Sequence, residues 1–152
     1  MASLLLGPML RYVSETEATV WVQTDQACEV QVLGHHARTF HVGGKHYGLV
    51  AIRGLEPNSS TEYELSLDGI TAWPPSVSAF PAPRIQTLPS EGQVAIAWGS
   101  CRVTAPNDLP YTLSVDEDAR GSGVDALYAL TVRLRDQDPA QWPRMLLLIG
   151  DQ

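Results

Sequence analysis

"EATVWVQT", residues 17–24, alternates without a break: Ala18, Val20 and Val22 fall on one face, Thr19, Trp21 and Gln23 on the other. Successive side chains of an extended strand point to opposite faces, so a strict period of two marks a strand with one buried side. The pattern recurs in "ACEVQVL" (27–33), where Cys28, Val30 and Val32 oppose Glu29 and Gln31. It recurs again in "TEYELSLDG" (61–69), which sets Tyr63, Leu65 and Leu67 on one side. Thr24-Asp25-Gln26, Gly43-Gly44, Glu56-Pro57-Asn58 and Asp68-Gly69 interrupt the runs at short intervals. Many short, half-buried antiparallel strands with frequent turns predict a β sandwich.

The stretch "GLEPNSSTEY" (54–63) adds detail. A Leu-x-Pro turn leads into a strand with an early tyrosine, and such a tyrosine can hydrogen-bond back to the turn as a tyrosine corner. The stretch resembles a fibronectin type III module. "WPPSVSAFPAP" (73–83) is too rich in proline to join a ladder and reads as a loop, with Trp73 and Phe80 expected to pin it to a surface. "RIQTLP" (84–89) is the last strand of this part, and "PSEG" (89–92) is a linker. The first predicted domain is therefore 1–89.

After Gly92 the grammar changes. "VAIAW" (94–98) and "MLLLI" (145–149) are continuously apolar, as in a parallel sheet covered on both faces. Between them, Val124, Leu127, Tyr128, Leu130, Thr131 and Leu134 recur at helical spacing. Ser122 with Asp125 three residues on resembles a capping box. Residues 93–152 thus read as a strand–loop–helix–strand unit, the second predicted domain. Two strands and one helix leave apolar faces uncovered. That predicts poor order in isolation, or stabilisation by the sandwich or by self-association.

Composition narrows the function. The chain has 152 residues, a formal net charge of −7, and ten basic residues without a cluster, which argues against nucleic acid as a partner. Asp116-Glu117-Asp118 reads as a solvated loop. Two cysteines, Cys28 and Cys101, make no disulfide framework and are expected to be reduced. Leu4–Leu6 is too short for a signal h-region, and no apolar run is long enough to span a membrane, so the expected location is cytoplasmic. His35, His36, His41 and His46 read as exposed hairpin residues with no zinc spacing to either cysteine. Gly43-Gly44-Lys45 lacks the remaining pattern of a P-loop, and Ser100 lacks the second glycine of a nucleophile elbow, since Arg102 stands there.

The chemistry lies at the two strand ends. "VAIAWGSCR" (94–102) delivers Cys101 and "LLLIGDQ" (146–152) delivers Asp151, each just after a glycine. Open α/β sheets bind ligands outside the carboxyl ends of their strands, so a thiolate and a carboxylate on neighbouring strands can converge on one ion. On spacing alone, a buried structural cysteine is the better reading of Cys101.

"GPMLRYVSETEATVWVQT", "GLEPNSSTEYEL", "IQTLP", "AIAWGSCR" and "LLLIGDQ" occur in that order. Together they resemble the amino-terminal part of a PhoD-like metallophosphatase (alkaline phosphatase D family) over nearly the whole chain. The resemblance implies a fibronectin type III-like sandwich followed by the first β-α-β portion of an α/β calcineurin-like metallophosphatase domain. It implies hydrolysis of phosphate esters at a two-metal centre, with iron and calcium or an iron/zinc-type pair. Cys101 then ligates a metal and Asp151 bridges the metals; Arg102 flanks the site, where it could face a phosphate. The family's further Tyr, Asn, His and Asp ligands have no counterpart in these 152 residues. No twin-arginine leader is visible, although many members are exported. The expectation is an amino-terminal fragment that binds no metal tightly and is inactive alone. The alternative is a non-catalytic β-sandwich binding module.

Overall fold

The computed structural model describes residues 1–100 and 104–150. The chain divides into two compact units, Met1–Gln93 and Val94–Gln152.

The first unit contains β1 (Leu4–Val13), β2 (Glu17–Thr24), β3 (Glu29–Val32), β4 (His35–Arg38), β5 (Phe40–Val42), β6 (Lys45–Arg53), β7 (Ser60–Glu62), β8 (Leu65–Leu67), β9 (Ile70–Trp73) and β10 (Arg84–Gln86). One sheet runs β1-β2-β6-β5, a second β4-β3-β8-β9, and β10 pairs with β7. All these pairings are antiparallel. The faces chosen by the alternating pattern are the buried ones. Ala18, Val20 and Val22 of β2 and Val50 and Ile52 of β6 join Val30, Val32, Leu65 and Leu67 of the second sheet in one core. Two sheets sharing a core through their inner faces is an arrangement compatible with a β sandwich.

Three two-residue hairpins set the register. Leu33-Gly34, Gly43-Gly44 and Asp68-Gly69 each take positive φ at both positions, as the right-handed strand twist demands. Gly48 serves a different purpose. A Cβ there would stand 2.8 Å from Val30 Cγ2 and 2.9 Å from Val22 Cγ2, so only glycine admits the opposing valines.

Two expectations need correction. Tyr63 is buried between β7 and β8, and its backbone N–H donates to Pro83 O at 3.1 Å. The turn before it is held by Thr87 instead of a tyrosine corner. The Thr87 hydroxyl donates to Glu56 O (2.7 Å) and accepts from Ser59 N (2.8 Å), while Thr87 N donates to Ser59 O (3.1 Å). Trp73 lies in β9, a strand and not a loop, opposite Leu65 and packs on the core, whereas Phe80 is 43% exposed and is not part of that core.

The second unit contains β11 (Ile96–Gly99), α1 (Ala126–Arg135), a single 3-10 turn at Pro139–Gln141, and β12 (Met145–Leu148). The strands pair in parallel with α1 between them in sequence. Asp125, not Ser122, is the helix N-cap: its carboxylate accepts from Leu127 N at 2.9 Å. The indole of Trp142 donates to Leu134 O (2.9 Å), satisfying a carbonyl at the other helix end. With only two strands and one helix the apolar faces stay uncovered, as expected: Ile96, Trp98 and Leu146 to Ile149 are all exposed, Trp98 at 71%. Among the described residues no helix is long and apolar enough to cross a membrane.

Candidate functional site

The parallel register places Ile96 opposite Met145 and Gly99 opposite Leu148, so both strands run the same way and end side by side. The ladder continues one step beyond, where Ile149 N donates to Gly99 O at 3.0 Å. At the opposite end Arg144 N donates to Ala95 O at 2.9 Å. Ser100 and Gly150 are the last described residues on the two carboxyl ends, and both make further interactions. Cys101, Arg102 and Asp151, the three residues singled out from the sequence, lie outside the described residues. Among the described residues, nothing stands within 4 Å of a Cβ built on Gly99.

The loop between β11 and α1 neutralises its own charges. Glu117 accepts from Ser114 N (2.9 Å) and Ser114 Oγ (2.8 Å), and these bonds hold its carboxyl below the usual range. Asp118 is likewise lowered, by the guanidinium of Arg120 at 3.0 Å, whose own pKa is raised in return. Glu117 is exposed and Asp118 half-buried, and both carboxylates are engaged by hydrogen bonds from within the loop.

Elsewhere the titratable groups are structural. Burial pushes the Cys28 thiol up, against a lowering hydrogen bond to Thr24, so it is a protonated core residue and no nucleophile. Burial also raises Tyr63 to about 12. An open cleft of about 450 Å³ lies beside Tyr63, Glu64, Ser66 and Thr71, and there the Thr71 hydroxyl donates to Glu64 Oε2 at 3.5 Å. Among the described residues no three His, Cys, Asp or Glu side chains converge.

One pairing escaped the sequence reading. His41 and His46 face each other across β5 and β6. The signal was present: a two-residue Gly43-Gly44 hairpin fixes Val42 opposite Lys45, and hence His41 opposite His46.

Neither the curated proteins nor the solved structures include a match to this chain. Residues 1–85, which span β1 to the middle of β10, match a family described as a domain of unknown function, DUF7800. The match covers more than half of the sequence, and the chain belongs to the DUF7800 family.

Proposed function

We propose that this chain is the amino-terminal part of a PhoD-like metal-dependent phosphoesterase, a fibronectin type III-like sandwich followed by the opening β-α-β of a calcineurin-like domain. The observation that carries the reading is the parallel pairing of β11 with β12, which brings the Gly99 and Leu148 ends together. Ser100-Cys101 and Gly150-Asp151 follow those ends in sequence. Cys101 and Asp151 would hold the metals, and a thiolate beside a carboxylate suits iron or zinc better than magnesium. The donor set fits such a centre in part. Further ligands would come from polypeptide outside these 152 residues, because no His/Cys/Asp/Glu cluster exists among the described ones. When bound, the metals supply polarisation of a phosphoryl oxygen. The chain's own task is to hold ligands at a strand end beside Gly99, and to orient the phosphate through Arg102.

The test uses the full-length gene product that contains this sequence. It should copurify with iron and hydrolyse p-nitrophenyl phosphate or its diester. Cys101→Ser should lower metal content, and Asp151→Asn should cut turnover ~100-fold or more, since a bound metal supplies several kcal/mol of transition-state stabilisation. Equal turnover in both variants, or a metal-free protein without turnover, would overturn the proposal.

A second reading, a non-catalytic binding module, draws on the outer face of the first sheet. There Met9, Leu49 and Phe40 are exposed, and Trp21, Tyr47 and Phe40 form a continuous aromatic row with centroids 5.8 and 6.0 Å apart. Trp21→Ser and Phe40→Ser would leave phosphoesterase turnover unchanged under the first reading. Under the second they would abolish the one measurable interaction of a protein without turnover.

A further inference from the structure

The histidine pair is independent of the strand-end site. We propose that His41 and His46 form a cross-strand site for a borderline divalent cation, the class of nickel(II), zinc(II) and copper(II). The two residues are direct partners in the β5–β6 ladder, and their ring centroids lie 4.9 Å apart with planes inclined by 51°. Both fall on the face of the sheet that carries buried Gly48, Val50 and Ile52 further along β6. The Gly43-Gly44 turn fixes that register.

Imidazole nitrogens bind such ions at ~2.1 Å, so two of them on one tetrahedral ion lie roughly 3.4 Å apart. Rings centred 4.9 Å apart are compatible with that nitrogen spacing. The second observation is the state of one nitrogen. His46 Nδ1 is buried and has no hydrogen-bond partner. A buried ring nitrogen without a partner needs an explanation, and a cation held by the imidazole supplies one.

The other two histidines lack this freedom. His35 Nδ1 contacts Leu33 O at 3.1 Å, and its Nε2 accepts from Arg53 N at 3.2 Å. His36 Nδ1 lies 3.3 Å from Glu29 Oε1. As neighbours in β4 these two point to opposite faces. The site at His41 and His46 therefore takes two protein ligands, leaves its other positions to water, and clips the edge strand β5 to β6.

Tag-free full chain is titrated with nickel(II) chloride by calorimetry, and the site is located by paramagnetic broadening of amide resonances. One saturable site is expected, with broadening centred on residues 41 and 46. Affinity should fall about tenfold or more in His41→Ala and in His46→Gln, when one of two ligands is removed. It should be unchanged in His36→Ala and in Cys101→Ser. His41 is exposed on an edge strand, so its replacement spares the fold, which far-UV circular dichroism checks. Nickel binding that survives His41→Ala, that is lost in Cys101→Ser, or that never saturates would overturn the proposal. The Cys101→Ser arm separates this site from the strand-end centre.

Discussion

β2 with β6 and β11 with β12 are both apolar strand pairs, yet they meet opposite fates. In the first pair Val20, Val22, Val50 and Ile52 are wholly buried, because a second sheet covers the face they share. In the second pair Ile96, Trp98, Leu146, Leu147 and Leu148 are each at least 40% exposed, and α1 has no buried residue. Apolar content is similar; closure differs. Burial yields stability only where a second layer removes the side chains from water, so apolar sequence alone does not make a strand pair stable.

The comparison can be broken most easily by truncation. Leu65→Ala, at a site with no exposure, should cost about 2–5 kcal/mol in chemical denaturation, whereas Leu147→Ala, at 40% exposure, should cost well under that. Equal losses would erase the distinction.

Alkali acts on the closed unit next. Tyr63 titrates near 12 when folded, against 10.0 for its ordinary value. The folded state therefore holds its proton longer than the unfolded one. Stability from this group is intact below pH 10 and drains as pH rises from 10 to 12, by roughly 2–3 kcal/mol. The raised thiol of Cys28 pushes the same way. Tyr63→Phe should flatten the slope of unfolding free energy above pH 10, and an unchanged slope would contradict this origin.

Thr87→Val sharpens the account of the turn at 56–59. Removing the hydroxyl leaves Ser59 N without its acceptor and Glu56 O without its donor, a loss of ~1–3 kcal/mol in denaturant titration. The smallest effect belongs to the open unit: Asp125→Ala removes the α1 N-cap, worth ~1 kcal/mol, and should lower helical signal at 222 nm while leaving the sheets' midpoint in place.

Alternation made the first unit readable. Residues 17–24 coincide with β2, and the inward faces of β3 and β8 follow the same rule. Leu33 was not readable as a turn residue, since leucine rarely takes the positive φ it adopts here; the following glycine and the core contact of its side chain hold it there. Tyr63 suggested a tyrosine corner from local sequence, but the turn is held by Thr87, 28 residues after its partner Ser59, a separation local patterns do not encode. For the strand-end site, the sequence supplies Cys101, Arg102 and Asp151, and the fold adds the adjacency of the strands that precede them. The histidine pair needed the ladder register, which Gly43-Gly44 implies only once β5 and β6 are known to be partners.

Native-state hydrogen exchange on the full chain tests the contrast between closed and open strand pairs most directly. Ladder amides of β2 and β6 should exchange at least ~1,000-fold more slowly than those of β11 and β12, a gap of ~4 kcal/mol in opening free energy. Equal protection in the two pairs would mean that β11 and β12 are closed by packing comparable to the core of the first unit, and would contradict the account.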